Sequence, residues 1–136
     1  MIIHYNGHGA PKPSTNGEVW VFNRELTQYI PLSLYDLQTW TAGPSLYIFD
    51  CSRGGLILEW LQKFTEQRQD EQNRTYLARG KRNSIEEIHY GDYYAIVACA
   101  ANEALPSNQE NPADILTCCL TTPIKMSLRW ASARTI

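Results

Sequence analysis

Residues 45–55 read SLYIFDCSRGG. Leu46, Tyr47, Ile48 and Phe49 run without polar alternation into Asp50, Cys51, Ser52 and Arg53, and two glycines follow before apolar residues resume at Leu56. An unalternating apolar run suits a strand covered on both faces, the usual setting of a parallel sheet. Beyond the glycines, Ile57, Trp60, Leu61 and Phe64 recur at i, i+3, i+4 and i+7, the stripe of an amphipathic helix. The stretch therefore reads as a buried strand, a tight polar turn and a helix.

Working outward, residues 2–5 form a short β-like run that leads into NGHGAPKPSTNG, a loop rich in Gly, Pro and Asn. EVWVFN (18–23) is a strand, and TQYIPLS is extended because Pro31 disfavours helix at Ile30. Ser33 followed three residues later by Asp36 has the capping-box spacing, so a helix is expected from Leu34 to about Trp40, ending before Gly43-Pro44. DYYAIVACA (92–100) is a further buried strand, and NPADILTCCLTTPIKMSLRWASA reads as two helices broken near Pro123. The polar segment 66–91 is expected to be a frayed helix end followed by a solvated insertion or loop. Strands alternating with helices predict one α/β domain over residues 1–136, with a mainly parallel sheet flanked by helices. MIIHYNG reads as the tail of a strand and RWASARTI stops without a cap, so the domain is expected to be incomplete at both ends.

Composition removes several classes of function. A net charge of −2 gives no general pull toward nucleic acid or anionic membrane. No apolar run approaches the roughly 18 residues of a transmembrane segment, and the first residues lack the basic and apolar regions of a secretory signal. Cys51, Cys99, Cys118 and Cys119 form no CxxC pair and no ligand spacing with His4, His8 or His89, so neither a metal nor another cofactor is expected. The cysteine pattern fits a reducing, cytoplasmic compartment.

Ligands of open parallel sheets bind outside the carboxyl ends of the strands. The first strand runs out into NGHG, carrying His8 between two glycines, and the later strand runs out into DCSRGG. A histidine and a Cys-Ser pair are thus expected on one edge, with the Gly9 amide in an oxyanion position. This layout resembles a caspase-type cysteine peptidase, whose nucleophile motif is Q-A-C-[RQG]-G with a histidine about 50 residues upstream. DCSRG (50–54) lies over that motif without a gap, and it puts Ser52, not Cys51, at the nucleophile position. A slip of one residue along a strand turns a side chain to the other face, so Cys51 is only an alternative nucleophile. A serine hydroxyl needs an oriented base and a third residue behind it, and none is evident near His8. His8 and Ser52 therefore read as a vestigial dyad, with Asp50 at a vestigial specificity position that tilts the alternative, peptidase reading toward basic residues. Competing readings make Ser52 a helix N-cap, Cys51 a buried small hydrophobe and His8 a loop histidine held by hydrogen bonds.

Longer strings narrow the resemblance. HYNGHGAPKPSTNGEVWVFN, TQYIPLSLYDLQTW, FDCS and PADILTCCLTTPIKMSLRW together resemble the N-terminal caspase-like domain of the Raptor family, called Kog1 in fungi, from about residue 4 to residue 130. The resemblance implies a caspase-like three-layer sandwich and a non-enzymatic scaffold or adaptor within TOR complex 1. It also implies the TOR kinase and TOR-motif-bearing substrates as partners, and a cytoplasmic location with recruitment to the lysosome or vacuole surface. Trp20, Phe22 and Tyr29, together with the segment from Pro112 to Trp130, are the candidate interface residues, with burial in the core as their competing role. An active caspase- or metacaspase-like peptidase using His8 with Cys51 or Ser52 is the alternative.

Overall fold

The computed structural model describes residues 1–41, 43–79, 90–106, 110–111 and 113–134. In chain order the elements are β1 (Ile2–Asn6), β2 (Glu18–Phe22), β3 (Tyr29–Ser33), α1 (Leu34–Thr41), β4 (Ser45–Asp50), α2 (Gly54–Arg79), β5 (Tyr93–Val97), α3 (Ile115–Thr121) and α4 (Pro123–Arg134). β1, β4 and β5 form a parallel sheet in that order, and helices flank it, as the apolar run at 46–49 required. β4 is central, and it is the strand of this sheet in which no residue is exposed on either face.

The register sets two faces. On one face, Ile3, Tyr47 and Ala95 form a row, as do Tyr5, Phe49 and Val97. Their aromatic rings meet Ile57 and Leu61 of α2, Leu34 and Leu37 of α1 and Val19 of β2, which together form the buried core. On the other face, Ile2, Leu46 and Tyr94 form one row and His4, Ile48 and Ile96 another, and Ile2, Tyr94 and Ile96 are exposed. Strand alternation therefore divides the molecule into a closed side and an open side.

Two features depart from the sequence reading. EVWVF and YIPLS pair with each other as an antiparallel ribbon, with Trp20 opposite Pro31, and stay out of the parallel sheet. Pro31 cannot donate a ladder hydrogen bond, and a two-stranded ribbon leaves such a residue an outer edge. The second departure is that α2 runs to Arg79, through much of the segment expected to be a frayed end and insertion; residues 80–89 of that segment lie outside the described residues. The helix continues because its inward positions turn polar without leaving the interface. Thr65 and Arg68 are both buried, Gln38 of α1 donates to Thr65 Oγ1 at 3.1 Å, and the Arg68 guanidinium lies between the rings of Tyr35 and Tyr90. The two helices expected in NPADILTCCLTTPIKMSLRWASA are α3 and α4, and the break between them falls at Thr122, just before Pro123.

Candidate functional site at the carboxyl edge of the sheet

β1 and β4 end side by side, with Asn6 opposite Asp50, and the Gly7 amide donates to the Asp50 carbonyl at 2.8 Å. The parallel pairing therefore brings the His8 loop and the DCSRGG turn to one edge. It does not give their side chains one direction.

Cys51 follows Phe49 on the closed side and is 2% exposed, within the core. It lies against Gly7, where an added Cβ would stand 2.7 Å from Cys51 Cβ and 2.6 Å from a Tyr5 ring carbon. Glycine is needed at position 7 because the thiol side chain and the tyrosine ring fill the space. Burial, then the neighbouring Cys99, then Asp50, push the Cys51 thiol up to about 12. A thiolate is the nucleophilic form of cysteine, and this environment disfavours it.

Ser52 is half-buried, and its Oγ accepts a hydrogen bond from the Leu105 amide at 3.0 Å. Arg53 adopts a left-handed φ of 58°, donates from its amide to the Glu103 carbonyl at 2.7 Å and from Nε to the Ala101 carbonyl at 3.1 Å. The turn is thus stitched to the chain that follows β5.

Asp50 and His8 meet α3. Asp50 is fully buried, and its Oδ2 accepts from the Thr117 amide at 3.1 Å and the Thr117 hydroxyl at 2.5 Å. Its Oδ1 has no partner among the described residues. The His8 imidazole, 64% exposed, holds Asp114 Oδ1 at 3.0 Å through Nδ1, and the Asp114 side chain is 7% exposed. That contact assigns the ring proton to Nδ1, because a carboxylate only accepts. The His8 amide is steadied by Asn6 Oδ1 at 3.2 Å. Gly9 has a φ of 76°, the conformation that favours glycine, and open space where a side chain would stand.

The sequence reading found no third residue near His8; the fold supplies Asp114. Asp114 precedes α3 and has the identity of an N-cap, but it makes no side-chain cap hydrogen bond and turns to His8 instead. Asp50 takes the amide that such a cap would have satisfied. Thr117 and Leu105 also went unmarked. The aspartate one residue before an apolar helix was the available signal for Asp114, and it reads as a cap in isolation. The arrangement contains an oriented His–Asp pair, a thiol set in the core and a hydroxyl held by a backbone amide. Among the described residues no three His, Cys, Asp or Glu side chains cluster to hold a metal ion.

Of the candidate interface residues, Phe22 is 50% exposed and stacks on Tyr29 at 4.4 Å, while Trp20 is half-buried. Trp130 is exposed; Pro112 lies outside the described residues.

A parallel α/β sheet that delivers a histidine loop and a Cys-bearing turn to adjacent strand ends defines a caspase-like domain. The sequence family described as Raptor N-terminal CASPase like domain matches residues 1–61. The chain is 45% identical to the target of rapamycin complex 1 subunit KOG1 of Saccharomyces cerevisiae across 95% of its own length, and 45% identical to the complex 1 subunit mip1 of Schizosaccharomyces pombe across 96%. It is 38% identical to the protein raptor homolog of Dictyostelium discoideum across its full length. The crystal structure of Chaetomium thermophilum Raptor superposes with a TM-score of 0.80 at 48% identity, covering 93% of this chain and 11% of that one. The chain belongs to the Raptor N-terminal caspase-like family. It spans 8%, 10% and 13% of the length of the three curated relatives named here.

Proposed function

We propose that this chain serves as part of a non-catalytic TOR complex 1 subunit that binds the TOR kinase and recruits its substrates, acting in the cytoplasm and at the lysosome or vacuole surface. The names of the two yeast relatives support the complex, and the likeness to them extends over nearly the whole chain. The placement of Cys51 carries the non-catalytic half of the reading: a thiol 2% exposed and pushed up to about 12 is poorly suited to attack a peptide bond. Ser52 is no better placed, since its oxygen accepts the Leu105 amide. His8 and Ser52 are on this reading a vestigial dyad, with Asp50 and Gly9 as vestigial specificity and oxyanion positions.

The peptidase reading rests on one feature, the His8–Asp114 pair, which is what a general base would use. A single experiment on the intact protein separates the two. Cys51 alkylation is followed against pH by peptide mass spectrometry, with His8→Ala alongside, and the tagged protein is assayed for co-purification of the TOR kinase. Slow labelling that is indifferent to His8, together with kinase recovery, is expected. Fast labelling near neutral pH that disappears in His8→Ala would overturn the non-catalytic reading, and failure to recover the kinase would overturn the scaffold reading.

A further inference from the structure

α3 and α4 are weakly built into the molecule. α3 has seven residues and only Cys118 fully buried, and α4 has no buried residue at all. Helices this short are marginal in water unless something outside them fixes their ends. α4 nevertheless carries exposed Ile124, Leu128 and Trp130. Besides the buried Cys118 and the bonds from Arg129 to Glu110 and Asn111, two side-chain contacts at the start of α3 tie the pair to the ends of β4 and β1.

The first contact comes from β4, where buried Asp50 accepts both the amide and the hydroxyl of Thr117. A buried side-chain oxygen that loses its hydrogen-bond donors is left unsatisfied at a cost larger than the net worth of the bond itself. Among the described residues Asp50 Oδ1 has no partner, and Thr117 supplies the hydrogen bonds seen at Oδ2. The second contact comes from the loop after β1, where His8 binds Asp114. Asp114 would otherwise cap α3 itself; it makes no such bond, and Asp50 does that work from another strand. With Asp50 in the capping role and Asp114 held by His8, α3 is tied to both strand ends.

We propose that α3 and α4 form a hinged arm latched to the carboxyl edge of the sheet by Asp50–Thr117 and His8–Asp114, so that residues standing at caspase-site positions here set where the arm lies. Closing the latch holds the arm's exposed Ile124, Leu128 and Trp130 in one orientation relative to the sheet. Opening it frees α3 from both strand ends, and α4 moves with it, because α4 packs on α3 and its Arg129 Nη1 reaches Glu110 and Asn111 in the same stretch of chain just before α3. The inference rests on the non-catalytic reading in taking these side chains to hold the arm and not to do chemistry.

Hydrogen exchange of backbone amides in the intact protein tests it, comparing wild type with Asp50→Ala, Thr117→Val and the double variant His8→Ala/Asp114→Ala. The expected result is exchange at least about tenfold faster over residues 115–134 in Asp50→Ala, with β4 and α2 unchanged. Thr117→Val, which removes only the hydroxyl, should show the same localised change to a smaller degree, as should the double variant. Unchanged exchange over 115–134 in Thr117→Val and the double variant would overturn the latch. Acceleration shared equally by β4 and α2 in those two variants would overturn it as well, since the contacts would then support the core. Either failure leaves kinase co-purification untouched, so it is distinct from failure of the proposed function.

Discussion

Gly55 shows how a single residue can be only half legible in a sequence. In the sequence, the two glycines after Arg53 mark a tight turn before the helix. In the fold, the constraint at Gly55 is an approach of protein to protein: an added Cβ would stand 2.5 Å from the Ala101 nitrogen and 2.9 Å from the Ala100 carbonyl carbon. Both are backbone atoms, which cannot swing aside as a side chain could. Gly55→Ala should therefore destabilise the protein by about 1–3 kcal/mol, read as a lowered thermal or urea midpoint, and an unchanged midpoint would mean the turn yields more easily than its packing indicates. Cys51 was legible in a similar half-way manner. Its sequence neighbours offered both a nucleophile and a core residue, and only the pairing of β1 with β4, which puts Gly7 beside it, decides the face it takes.

Among the elements, α2 separates what pattern can and cannot reveal. Ile57 and Leu61 are fully buried and Trp60 and Phe64 pack against the core, as the spacing of the stripe implied. The continuation to Arg79 was hidden because the buried positions that follow are Thr65 and Arg68, which look like surface residues by composition. Their burial is possible because α1 presents Gln38, Thr39 and the Tyr35 carbonyl to them, and hydrogen-bonded polar groups can be buried at modest cost. Truncation at the two kinds of position should differ sharply. Leu61→Ala is expected to cost about 2–5 kcal/mol through lost burial and a cavity, whereas exposed Asp70→Ala should stay within about 0.5 kcal/mol. Equal losses measured by chemical denaturation would mean that the stripe is not what fastens α2 to the sheet.

For the molecule as a whole, two weak acids on the closed side, buried Cys51 and half-buried Tyr5, make stability depend on alkaline pH. Burial first, and the nearby Cys51 second, push the Tyr5 hydroxyl up to about 12, and Cys51 is raised to about 12 from an ordinary 9.0. Both groups stay protonated in the folded protein after they would have ionised in the unfolded chain. The unfolded state then holds fewer protons, so stability is full below pH 9.0 and falls as pH rises toward about 12. The melting temperature should decline over that window, and Cys51→Ala should flatten the decline; an identical slope in the variant would show that the thiol is not held neutral by the fold. The sequence by itself determined the order of strands and helices, the strand–turn–helix around DCSRGG, the amphipathic face of α2 and the family likeness, because each is written in local spacing or in contiguous strings. The tertiary structure alone decided which side of the sheet Cys51 faces, that Asp114 reaches His8, that Asp50 caps α3 and that Leu105 holds Ser52. These are contacts between residues far apart in the chain, and strand register together with the return of the chain after β5 brings them together, so no local pattern records them.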